Sequence, residues 1–164
     1  MKYADGPVAE GSVHVAAPPE RVWELVSDIH LIASLSREVQ SVGWVGGADS
    51  PALGCAFLGH NAHPAAGEWT TTSRVVCCDA PREFGWDVED PANPTASWRF
   101  ELTPTEGGTT LRQWARMGPG RSNLNRAIDA MPEKEERIVA GRLREWQAGI
   151  DANLAAIKER AERP

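Results

Sequence analysis

The chain has one tyrosine, three cysteines and no apolar run near the roughly 18 residues that a membrane-spanning helix requires. No basic segment leads into an apolar run at the N-terminus, so no secretory leader is read there and the expected location is the cytoplasm. Basic residues are also in deficit: 17 Lys and Arg stand against 23 Asp and Glu, a formal charge of −6. That balance repels a phosphate backbone and argues against nucleic acid as a partner. Cys55, Cys77 and Cys78 are odd in number and two are adjacent, which on a strand places their side chains on opposite faces. Reduced thiols fit this set better than a disulfide framework.

Catalytic signatures are missing too. No G-x-S-x-G, Walker or dinucleotide fingerprint occurs, and "VGGADSPALG" reads as a turn-rich connection, not a phosphate cradle. His60 and His63 form an HxxH near Glu68, but on a strand a spacing of three turns the two rings to opposite faces. No metal and no cofactor is expected.

What is present is periodicity. The 164 residues fit one domain, with its core over about residues 10–160. Val13 and Val15 alternate with Ser12 and His14 as in a half-buried strand, which Pro18 and Pro19 end. Val22, Leu25, Val26 and Ile29, then Ile32 and Leu35, predict two short helices over about 19–28 and 29–36. Alternating runs punctuated by Gly, Pro and Asp predict strands at about 39–46, 54–62, 68–79, 83–89, 96–104 and 109–117. Val139, Leu143, Trp146, Ile150, Leu154 and Ile157 then mark one face of a long helix beginning near Pro132, with "SNLNRAIDAM" before it as a separate turn or short helix. A seven-stranded antiparallel sheet with one dry face needs a cover. The terminal helix supplies most of it, and the early helix pair is expected to act as a lid or plug at the open end.

Side-chain parity assigns the dry face, because an arginine on a strand marks the solvent side. Arg112 and Arg116 outward leave Leu111, Gln113, Ala115 and Met117 inward, and Arg74 outward leaves Trp69, Thr71, Ser73, Val75 and Cys77 inward. Asp87 and Glu89 do the same for Phe84, Trp86 and Val88, and Arg99 and Glu101 for Trp98, Phe100 and Leu102. With Phe57 inward, Gly59 and Asn61 follow. The candidate pocket set is Phe57, Asn61, Trp69, Thr71, Ser73, Trp86, Trp98, Phe100, Gln113 and Met117 from the sheet, with Leu143 and Trp146 from the helix. Asn61, Thr71, Ser73 and Gln113 need partners, supplied either by one another and the backbone or by a bound molecule. The seven tryptophans, one on nearly every element, are explained largely by core filling, with Trp114 outward between Arg112 and Arg116. The inner rows hold no carboxylate or imidazole in this reading. Asp28, His30, Arg37, Glu38 and Asp129 lie off the strands and are read as solvated surface groups.

The element order and the words "VHVAAPPERVWELVSDI", "GCAFLGHNAH", "WTTTSRVVCCDAP", "FGWDV" and "SWRFELTPTEGGTTLRQ" resemble the START-like, or SRPBCC, polyketide cyclase/dehydrase superfamily. The resemblance implies an α+β helix-grip fold, a curved seven-stranded antiparallel sheet wrapped on the long C-terminal helix, with two short helices after the first strand. It also implies an internal cavity for lipids, aromatic polyketides or other apolar molecules, and no shared catalytic motif. Three functions stay open. The first is binding of a lipid-like or aromatic small molecule between sheet and helix. The second is a cyclase or dehydrase reaction in which Asn61, Ser73, Gln113 or water handles protons. The third is an interaction module whose interior is filled by its own side chains; a homodimer is left open.

Overall fold

The computed structural model describes residues 1–164. Strand β1 (Val8–Val15) is followed by α1 (Pro19–Val26) and α2 (Ile29–Leu35). Six strands come next: β2 (Val39–Val45), β3 (Ala56–His63), β4 (Gly67–Asp79), β5 (Glu83–Val88), β6 (Ala96–Thr105) and β7 (Gly108–Met117). The chain ends with α3 (Asn123–Ala130) and α4 (Glu135–Ala161). All neighbours pair antiparallel in the order β1-β7-β6-β5-β4-β3-β2. Since β1 and β2 are opposite edges, the α1–α2 connection must cross the whole inner face between them. This is the helix-grip fold that the resemblance implies.

Local chemistry sets these boundaries. Pro19 opens α1, where its missing N–H costs nothing. Asp28 caps α2 by accepting from the backbone N–H groups of His30 and Leu31 at 3.0 and 3.1 Å. Val22 and Val26 of α1 are sealed in the main core with Phe100, Leu102, Leu111, Ile150 and Ile157. Helix α1 is therefore a structural plug, while α2 lies along β2 with Ile29 buried beside Phe57 and Phe84. On β1, Gly11 lets α4 come close: a Cβ there would stand 3.1 Å from Leu154 Cδ1 and 3.3 Å from Ile150 Cγ2. The sole tyrosine, Tyr3, is buried, and its hydroxyl donates to the Gly120 carbonyl.

The parity assignment holds along most of the sheet. Arg74 lies on the outer face and donates to the Gly54 carbonyl at 2.6 Å, and Arg112 bonds Glu10 and Glu101 there. Trp114 is outward as expected, but its guanidinium neighbours are Arg99 and Arg112, at 5.5 and 6.0 Å from the ring, not Arg116. Cross-strand pairing of Arg99 with Trp114 is the reason.

One inner assignment fails. The register of β4 against β5 shifts between Val75 and Cys77, so Cys77 pairs with Gly85 in the outer row and Cys78 faces inward with Phe57 and Phe84. A one-residue bulge reverses the parity of everything beyond it. Burial, with Glu83 next, pushes the Cys77 thiol up to about 11, the opposite of an activated nucleophile.

Candidate functional site

Burial on the inner face is uneven. Toward β6, β7 and β1, the face is closed by α1 and α4, and Phe100, Leu111 and Ala115 have no exposure at all. Over β3 to β6, by contrast, Trp69, Thr71, Trp86 and Trp98 point away from the outer solvent yet remain half-buried, as do Leu143 and Trp146 on α4. An inward side chain keeps exposure only where its cover is incomplete, so α4 leaves this part of the sheet partly uncovered, a shallow crevice between them.

Its floor is aromatic. Trp86 and Trp98 stack at 6.4 Å with 15° between planes, and Trp98 meets Trp146 of α4 at 4.9 Å. Phe57 bridges Trp86 to Trp44 at 5.8 and 5.7 Å. These rings border three apolar clusters, which makes the crevice the junction of the core and not a surface scratch. Two depressions, of about 440 and 450 Å³, lie elsewhere on the surface. The first is a mostly polar groove along α2 and the start of β2, and the second lies among Ala16–Pro19 and Pro104–Gly108; both are open and neither lies between sheet and α4.

A small polar group sits on one wall. The Asn61 amide donates to Thr71 Oγ1 at 3.1 Å and to the Trp69 carbonyl at 3.4 Å, while its Oδ1 accepts from no group of the chain. Gly59 faces the same spot, where a Cβ would stand 3.2 Å from Thr71 Oγ1. Ser73 lies deeper and is buried.

Three of the twelve candidates are placed differently. Phe100 is closed inside the main core, and Met117 belongs to a separate cluster with Tyr3, Ile128 and Val139. Gln113, 1% exposed, accepts at 3.2 Å from the amide of Asn153 on α4, so this pair ties helix to sheet. Gln113→Leu is therefore expected to destabilise the fold by about 1–2 kcal/mol by stranding the Asn153 amide. Chemical denaturation tests this, and an unchanged midpoint would remove the structural role.

The mouth carries the feature that sequence reasoning missed. His63 continues the inner row of Phe57, Gly59 and Asn61, so the inner face does hold an imidazole. Its Nε2 lies 3.0 Å from Glu145 of α4, and its Nδ1 accepts from the Ala65 N–H at 3.0 Å. Arg142, one turn earlier on α4, bonds Glu145 at 2.6 Å and grips both oxygens of Glu38, the second through Nη2 at 2.9 Å. Glu38 is thus a half-buried partner of α4, not a solvated lid residue. The other off-strand groups are exposed, with Asp129 paired to Arg121. The Arg142 guanidinium also lies 5.9 Å from the Trp146 ring. For Glu145, burial pushes the pKa up, but hydrogen bonds from Arg142 and His63 outweigh it and hold the carboxyl below its usual range. Glu38, His63 and Glu145 bring ligand-capable atoms within 4.8 Å of one another, and Arg142 is bonded to both carboxylates. His60 is exposed and takes no part.

Residues 7–162 match the family described as polyketide cyclase / dehydrase and lipid transport, and the chain belongs to that family. A polyketide-cyclase-like protein from Corynebacterium glutamicum, Cgl2372, is 29% identical and superimposes with a TM-score of 0.66, over 92% of this chain and 88% of that one. Two di-domain aromatase/cyclases share the fold: BexL of the BE-7585A biosynthetic pathway (21% identity, TM-score 0.70) and StfQ of the steffimycin pathway (16%, 0.69). The chain aligns over 96% and 94% of its own length with these and spans about half of theirs, 51% and 50%. No curated protein matches it. No helix is long and apolar enough to cross a membrane.

Proposed function

We propose that the protein binds an apolar small molecule, lipid-like or aromatic, in the crevice floored by Trp86, Trp98 and Trp146. The observation that carries this reading is the incomplete burial of those inward-facing rings, beside inner residues such as Phe100, Leu111 and Ala115 that are sealed. Exposed indole surface facing inward is apolar area whose removal from water favours binding by about 25 cal/mol per Å². Asn61 Oδ1 and the Thr71 hydroxyl offer orienting contacts on one wall, the mixture of an apolar lining and a few polar groups expected of a ligand site.

A cyclase or dehydrase reaction is the second reading, favoured by His63 on the inner row beside Asn61. Both His63 nitrogens already have partners, so acid–base work there requires one of those bonds to be exchanged.

Native mass spectra of freshly purified protein, followed by titration with a panel of lipids and aromatic compounds, test the proposal. The expected result is an adduct released on denaturation, or saturable binding with stoichiometry near one. A mass equal to that of the chain, with no saturable binding to any member, would leave the crevice a packing feature of a filled interaction module.

A further inference from the structure

We infer that the molecule in the crevice carries a carboxylate, and that Glu38 occupies the place of that carboxylate on Arg142. This inference rests on the binding reading above and extends it to the chemical class of the ligand.

Arg142 is the one basic side chain bonded at the crevice mouth whose guanidinium also lies against a floor ring, Trp146. An amphipathic ligand with its apolar body on the tryptophans puts its head group there. Two contacts hold the guanidinium in place independently of Glu38: Glu145, itself bonded by His63, accepts from Nη1, and Trp146 lies against the face. The paired end of the fork, Nη1 with Nη2, is turned to Glu38, which accepts from both nitrogens. That geometry is the one a free carboxylate adopts on arginine.

Glu38 differs from Glu145 in where it is anchored. It lies in the short connection between α2 and β2, outside either element, so its release moves no helix or strand of the grip. Glu145 is on α4 itself, one turn from Arg142, and stays when Glu38 leaves. An incoming acid therefore exchanges with an intrachain carboxylate of the lid connection, and Glu38 passes to water.

The test compares matched neutral, acidic and basic probes on one skeleton: 2-naphthoic acid, naphthalene-2-carboxamide and 2-naphthylmethylamine, with dodecanoic acid, dodecanamide and dodecylamine as a second set. Dissociation constants are measured by tryptophan fluorescence for the natural chain and for Glu38→Gln, and thermal melts verify that the variant is folded. The readout is the ratio of amide to acid dissociation constants, which a merely loosened lid leaves unchanged because it affects both probes alike. Removing the competing carboxylate is expected to raise this ratio by about tenfold, the scale of one charge-assisted hydrogen-bond pair. Arg142→Gln on the Glu38→Gln background is expected to return the ratio to about one. Binding with a ratio that Glu38→Gln does not change overturns the inference while leaving the binding reading intact. Preferential binding of the amine, weakened by Glu38→Gln, would assign the mouth to a cation instead. Absence of binding by every probe would overturn both readings.

Discussion

Trp98→Ala is expected to lower the unfolding free energy by about 3 kcal/mol and to weaken binding in the crevice by at least about tenfold. Trp98 is the ring through which sheet and terminal helix meet, stacked on Trp86 at 6.4 Å on one side and against Trp146 at 4.9 Å on the other. Truncation removes both contacts and leaves a hole that α4 cannot fill, since that helix is fixed on β1 through Gly11. The ring is half-buried, which places the cost at the lower end of the range of about 3–5 kcal/mol for Trp→Ala in a closed core. Urea denaturation measures it, and a cycle with Trp146→Ala isolates the pair, for which a coupling of about 0.5–1.5 kcal/mol is expected. A loss below about 1 kcal/mol would mean that the rings touch without supporting the fold.

Arg142→Leu has the second large effect. It leaves Glu38 and Glu145 facing each other without a cation, at side-chain exposures of 28% and 47%. Removing one partner of a fully buried pair costs about 3–5 kcal/mol; with this much solvent contact, about 2 kcal/mol is expected at neutral pH. The penalty has a definite pH dependence. The folded-state pKa of Glu145 is lowered, so its contribution is fully present above the ordinary carboxylate range near about 4.3 and is lost as pH falls through the lowered value. In Arg142→Leu the arginine's share of that contribution is gone, leaving only the His63 bond, and the two carboxylates repel. The difference between natural chain and variant should therefore be largest near pH 7 and shrink on acidification into the carboxylate range. A difference independent of pH would assign the loss to packing of the arginine stem.

The fold was legible because its signals are local. Alternation in each strand, Pro18 and Pro19 between strand and helix, and the apolar stripe from Val139 to Ile157 are all readable within one turn or one hairpin. Outward arginines correctly separated Trp98, Phe100 and Leu102 from Arg99 and Glu101. Parity failed at Cys77 because a bulge depends on the pairing of two strands and leaves no mark in the sequence of one. The ionic group at the mouth was missed for a related reason. Glu38, His63, Arg142 and Glu145 come from the lid connection, a hairpin end and α4, and each alone looks like an ordinary surface residue. One clue was available: extending the inner row of Phe57, Gly59 and Asn61 by two more residues reaches His63. Gln113 was misjudged because its partner, Asn153, interrupts the apolar face of α4, and an asparagine in that position signals a polar tie across the interface.

Indole N–H resonances give the most direct test of where a ligand sits. Seven tryptophans provide seven probes, of which Trp86, Trp98 and Trp146 floor the crevice and Trp114 lies on the opposite face, its N–H donating to Glu101. In a two-dimensional ¹H–¹⁵N spectrum, a bound apolar molecule is expected to shift the three crevice indoles and leave Trp114 in place. Shifts confined to Trp114 and its outer-face neighbours, with the crevice indoles unmoved at saturation, would contradict an internal site.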